Sequence, residues 1–77
     1  MANTQHLALL KKGAVSWIDW RNLNPTLEPD LSEANLREAN LRGAYLWRSN
    51  FFKTDLFKAK LISANLAESN LSLANLA

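Results

Sequence analysis

The sequence predicts a repeat solenoid preceded by a helical cap, and two observations carry that prediction. The first is a period of five. A large apolar residue returns at Leu31, Leu36, Leu41, Leu46, Phe51, Leu56, Leu61, Leu66, Leu71 and Leu76. A small residue stands two places before nearly every one, at Ala34, Ala39, Ala44, Ser49, Thr54, Ala59, Ala64, Ser69 and Ala74. Between them usually lies a short polar residue: Asp30, Asn35, Asn40, Asn50, Asp55, Asn65, Asn70 or Asn75. A strict period over this length marks a repeat architecture rather than an ordinary globular domain. The second observation is that the first thirty residues lack the period and read as a helix.

Five matches neither standard period. A helix returns to its face after about 3.6 residues and a strand after 2. On a helix a five-residue step turns the chain by about 500°, so successive leucines drift around the axis and form no stripe. On a flat strand the same step alternates them between opposite faces. The period works if each five residues make one short extended side plus a corner, so that every leucine points to a common axis. The small residue then also points inward, where backbone from the next corner comes close. Asn and Asp suit the polar slot because their side chains bond nearby backbone and tolerate turns.

The pattern Ala-Asn-Leu-x-x, as in Ala34-Asn35-Leu36-Arg37-Glu38 and Ala39-Asn40-Leu41-Arg42-Gly43, resembles the pentapeptide repeat family. The resemblance covers about ten units, from Pro29 to Ala77. It implies an all-β solenoid: a right-handed quadrilateral β-helix with four pentapeptides to a coil, coils about 4.8 Å apart, and about two and a half coils in all. Pro29, Tyr45 and Lys60 depart from the polar slot and are expected to point outward. The domain plan is therefore 1–28 for cap and linker and 29–77 for the repeats.

In the first segment, Asn3 or Thr4 can cap a helix. Leu7, Leu10, Ala14, Trp17 and Ile18 then share one side, with Trp20 flanking and Lys11, Lys12 and Arg21 elsewhere. Gly13 weakens this helix by about 1 kcal/mol relative to Ala, and Asn24-Pro25 and Pro29 end it. A solenoid ends in an open apolar cross-section and unpaired edges, both of which need cover. The helix is accordingly read as the N-terminal cap.

The other end has no such element: the chain stops within a repeat at Ala74-Asn75-Leu76-Ala77. Either the last coil stacks on a second copy, through Leu71, Leu73 and Leu76, or the chain is part of something longer. The resemblance implies end-to-end dimerisation through C-terminal coils and so favours a homodimer. It also implies a bacterial, cytoplasmic origin, near small cyanobacterial members with an N-terminal helix.

Composition excludes several classes. One small domain is the limit for 77 residues, and without cysteine there is neither a disulfide framework nor a thiolate metal site. No apolar run approaches the roughly 18 residues of a membrane span. His6 is the sole histidine, and no serine pairs with it in a recognisable arrangement. Glu33, Glu38, Asp55 and Glu68 fall on different sides and heights, with Arg37 and Arg42 expected to interleave with Glu33 and Glu38 as surface ion pairs. No catalytic residue, metal ligand set or cofactor site is assigned, and the chain is read as a non-enzyme.

Function must then sit on outward positions. Trp47, Phe52, Phe57 and Ile62 occupy successive repeats and form an apolar belt around four sides, flanked by Arg48, Lys53, Lys58 and Lys60. Between Arg42 and Lys60 five cations face only Asp55, a net charge of +4. Such a belt suggests an interaction surface, although aromatic residues also favour extended structure and Lys and Arg stems can cover them. The leading expectation is a protein-interaction or scaffold module with an unidentified protein partner. Behind it stand a nucleic-acid or topoisomerase-related binder, disfavoured because the family's DNA mimics are long and acidic, and a purely structural oligomerisation tag.

Overall fold

The computed structural model describes all 77 residues. The chain begins with two short helices, α1 (Thr4–Lys12) and α2 (Ala14–Leu23). Asn3 caps α1, its side chain accepting the N–H groups of Gln5 and His6 at 2.9 and 3.2 Å. The single helix expected from the sequence is broken at Gly13, whose φ of 126° suits a residue without Cβ. Gly13 donates to the carbonyl of Leu10 and accepts from Trp17, so it closes one helix and opens the next. The break redirects α2. Trp17 becomes fully buried, Leu10 is buried beside it, and Leu7, Ile18 and Trp20 are half-buried, whereas Ala14 lies exposed rather than on the packed side. The Trp20 ring is 4.8 Å from His6 and 5.1 Å from Trp17.

From Asp30 onward the chain coils with a repeat of twenty residues. Parallel bridges join Asp30 to Asn50, Asn35 to Asp55, Asn40 to Lys60, Tyr45 to Asn65, Asn50 to Asn70 and Asp55 to Asn75. Four five-residue sides therefore make one turn, with 30–49 as the first coil and 50–69 as the second. The bonding set is the same at each side: Leu31 donates to Asn50, Glu33 to Phe52, and Asn50 back to Pro29, at 2.8–2.9 Å. The all-β expectation needs correction in one respect. No continuous strand forms, because a corner every five residues leaves only a single bridging residue per side.

Each corner is a turn in which the large residue accepts the N–H of the small residue three places on, as Leu31 does from Ala34 at 3.2 Å. The third turn residue has positive φ: Glu33, Glu38, Gly43, Arg48, Lys53, Lys58, Ser63, Glu68 and Leu73 all lie between 57° and 67°. Positive φ at this place alone defines a type II turn. The polar slot reinforces it. The oxygens of Asp30, Asn35, Asn40, Asn50, Asp55, Asn65, Asn70 and Asn75 each accept the N–H two residues on, at 3.0–3.3 Å. Tyr45 and Lys60 cannot, and the N–H groups of Trp47 and Ile62 go without that bond.

The axis is filled as the period requires. Leu31, Leu36, Leu41, Leu46, Phe51 and Leu56 are buried, with Ala34, Ala44, Ser49 and Thr54 between them. Thr54 donates its hydroxyl to the Leu31 carbonyl at 2.6 Å, and Ser69 to that of Leu46 at 2.8 Å, so these two polar residues are accommodated inside, whereas the buried Ser49 hydroxyl has no partner. Tyr45 and Lys60 do point outward, but Pro29 is buried. It stands in the small inward register five residues before Ala34, and its carbonyl takes the N–H of Asn50.

The helices meet the first coil through a substitute ladder. In the second coil the carbonyls of Asn50, Asn65 and Ala67 accept from the coil below, and the N–H of Asn50 donates down to it. The corresponding first-coil groups find partners in the cap instead. The carbonyl of Asp30 accepts the N–H of Asn3 at 3.0 Å, that of Tyr45 the indole N–H of Trp17 at 2.7 Å, and that of Trp47 the Nη2 of Arg21 at 2.7 Å. The N–H of Asp30 donates to His6 Nδ1 at 3.0 Å.

Candidate functional site

The four outward apolar residues do occupy successive corners, but the structure covers three of them. Trp47 is half-buried under the Arg21 guanidinium, whose carbon lies 4.3 Å from the ring centroid. Phe57 has Arg37 at 4.5 Å and Lys58 at 5.3 Å, and Phe52 has Lys53 at 5.3 Å. Cation–ring contacts of this kind shield apolar surface, and at Arg37, Lys53 and Lys58 they leave the charge in solvent. Only Ile62 is open, 68 % exposed. Arg48, Lys53 and Lys58 are exposed but lie on three different corners. The belt is thus four separate corners, and no single partner face contains it.

Arg21 was expected away from the packed side of its helix, yet it is 2 % exposed. Burial lowers its pKa, and the nearby charge of Arg48 adds to the effect. Its Nη2 bonds the Trp47 carbonyl, whereas Nε and Nη1 have no partner. The reason is the substitute ladder: a long planar donor reaches the coil edge where a helix backbone cannot. A hydrophobic pattern read along the helix has no signal for that.

The ion pairs also differ from expectation. Arg37 bonds Asp55 at 3.1 Å on the coil above, not Glu33 or Glu38, and Arg42 makes no ion pair. Residues twenty apart stack in register, so a long side chain meets its axial neighbour before one around the corner. Glu33 instead contacts the N-terminal ammonium at 3.1 Å. Asp55 has its pKa lowered by the N–H of Phe57 and then by Arg37. Asp30 is lowered first by the Ser32 hydroxyl, which donates to it at 2.7 Å.

His6 is structural. Its Nδ1 accepts a backbone N–H, so the neutral ring carries its proton on Nε2, and burial lowers its pKa against the opposing pull of Asp30. No group of three or more His, Asp or Glu side chains lies close enough to hold a metal ion. No helix is long and apolar enough to cross a membrane. Two concavities went unseen in the sequence. An open groove of about 560 Å³ between α1, α2 and the following loop is floored by Leu9, Trp20 and Leu27. A polar dent of about 210 Å³ brings Glu28 and Glu68 beside Arg48. The first depends on the helix break and the second on the coil register, which brings residues 28, 48 and 68 together.

At the far end, Leu71 is half-buried, Leu73 is 73 % exposed and Leu76 55 %. The N–H groups of Leu61, Ser63, Leu66, Glu68, Leu71 and Leu73 make no backbone hydrogen bond, although their counterparts one coil below all do. Donors, carbonyls and apolar side chains are therefore presented together on one face.

The family model for pentapeptide repeats matches the chain in 8 copies, over residues 30–66 and 54–77. No curated protein and no solved structure gives a match.

Proposed function

We propose a non-catalytic protein-interaction role for this chain, which belongs to the pentapeptide repeat family. Proteins of this family are generally non-catalytic interaction modules, and their repeats generally form right-handed quadrilateral β-helices. Four sides and a twenty-residue register fit the quadrilateral coil, and we assign the right hand from family membership.

The role takes a specific form: the last coil associates with the last coil of a second copy. One observation supports it above the rest. The chain uses two helices to occupy the lower edge of its first coil, while the upper edge offers unbonded N–H groups beside exposed Leu73 and Leu76. An edge of this kind templates pairing with another chain, and apolar burial at about 25 cal/mol per Å² would favour it. Nucleic-acid binding has less support. The cations are divided among four corners, and Arg37, Lys53 and Lys58 sit over aromatic rings rather than along one track.

Light scattering after size exclusion tests the reading. The wild-type chain should run with twice the mass of 8.7 kDa, and Leu73→Lys combined with Leu76→Lys should return it to one copy with unchanged circular dichroism. A wild-type chain that stays single at every concentration would refute self-association.

A further inference from the structure

The corner between the Asn40–Lys60 and Tyr45–Asn65 bridges is unlike the other three. Here Gly43 donates to the Ile62 carbonyl and Leu41 to that of Lys60, both at 2.9 Å, so Arg42 and Ile62 stack on the corner itself, with Lys60 on the side before it and Tyr45 on the side after it. Both interruptions of the polar slot flank it. Because Lys60 replaces the usual Asn or Asp, the N–H of Ile62 lacks the acceptor that its counterparts at Ser32, Arg37, Arg42, Phe52 and Phe57 have.

Charge sets this corner apart as well. Where the other corners carry Glu33, Glu38 or Glu68 at the positive-φ position, this one has Gly43 and Ser63. No carboxylate occurs from 39 to 54 or from 56 to 67. Arg42 and Lys60 are exposed and form no ion pair, no cation stacks on the Tyr45 ring, and Ile62 and Tyr45 are 68 % and 44 % exposed. Two free cations, one free backbone donor and two open apolar side chains thus line this corner and its two adjoining sides.

We propose that this corner docks an acidic, extended peptide segment of a partner protein. A carboxylate of that segment meets Arg42, Lys60 and the open N–H of Ile62, and an apolar side chain lies on Ile62 and Tyr45. The proposal rests on the interaction-module reading and gives it a site and a partner chemistry. Two cations are too few for a phosphate track, whose affinity grows with the number of charges neutralised. A backbone donor next to apolar surface suits an extended segment with a carboxylate and an aliphatic side chain two residues apart, because residues i and i+2 of a strand point the same way.

The test uses the full chain and a fluorescein-labelled octapeptide, Glu-Ser-Leu-Ser repeated twice, which puts glutamate and leucine on one strand face, followed by anisotropy and by amide chemical shifts. Saturable binding is expected, with the largest shifts at Arg42–Tyr45 and Lys60–Ile62. Lys60→Asn supplies the missing side-chain oxygen and removes a cation. It should therefore fold at least as well as wild type and bind at least tenfold more weakly. Arg42→Glu should also bind at least tenfold more weakly, and Lys53→Glu, on another corner, should bind as wild type. Full-strength binding to Lys60→Asn, or no binding at all, would overturn the proposal. Shifts centred on another corner would overturn this site while leaving an interaction module standing. An oligothymidylate of the same length that binds the corner as tightly would overturn the peptide assignment. Failure of self-association is read separately, in the molar mass, which Lys60→Asn should not change.

Discussion

The two ends of the solenoid meet the same physical problem, an exposed ladder and an open apolar cross-section, and treat it differently. At the first coil, Trp17 lies over the axis and side chains imitate the missing coil: the Trp17 and Arg21 nitrogens and the Asn3 N–H donate, and His6 Nδ1 accepts. At the last coil the leucines of the same register are half-buried or exposed, and the N–H donors stand without intramolecular partners. The contrast teaches that a cap of this kind has two separate tasks, burying apolar area and satisfying backbone groups. Trp17 performs both, whereas Arg21 and His6 chiefly perform the second.

The comparison can be broken most directly at Trp17. Trp17→Ala removes a fully buried ring and the donor to Tyr45, so a loss of about 4 kcal/mol is expected in chemical denaturation. A loss below about 1 kcal/mol would show that the helices are not what stabilises the first coil. A paired substitution sharpens the contrast between ends. Leu36→Ala should cost about 3 kcal/mol, and Leu76→Ala, at the same repeat position, under about 1 kcal/mol when measured on dilute, single-copy protein. Equal losses would mean that the upper edge is covered after all.

The smallest effect concerns His6. Its folded pKa lies below the ordinary 6.5, so the unfolded chain takes up the proton first. The stability it contributes is present above about pH 6.5 and is lost as the pH falls through the folded value. Protonation converts Nδ1 from acceptor to donor opposite the Asp30 N–H. The thermal midpoint should therefore decline below pH 6.5 in wild type. His6→Ala should lose about 1 kcal/mol at pH 7.5 and lack that decline. An identical pH profile in both would remove His6 from the ladder.

Much of this was legible in the sequence because one number, five, governed it. The inward leucines, the inward small residues, the Asn3 cap and the burial of Trp17 follow from register and helix rules. Gly13 was visible as a weak point but not as a break, because its backbone angle is decided by where α2 docks. Arg21 was misplaced because its burial serves a coil edge that no helix pattern contains. The pairing of Arg37 with Asp55 was within reach, since a twenty-residue coil puts residues 35 and 55 in register, but it needed the stacking rather than the corner as a guide. The positive-φ positions left almost no trace, Gly43 being the sole glycine among them. Of the corner of Arg42, Tyr45, Lys60 and Ile62, the sequence shows two irregular slots, one belt residue and two of the cations, but not that the twenty-residue register brings them to one corner.

The substitute ladder has a consequence for how such a protein can change its length. The four bonds from Asn3, His6, Trp17 and Arg21 are made to main-chain atoms of Asp30, Tyr45 and Trp47, never to their side chains. Apart from the stacking of Arg21 on the Trp47 ring, the plug therefore reads the shape of a coil rather than its composition. Whole coils can be inserted above it in increments of twenty residues without altering its seat, and the outer side chains other than Trp47, on which Arg21 stacks, can be rewritten with little effect on it. An insertion of five, ten or fifteen would leave the plug in place and rotate the far end by one, two or three quarter-turns.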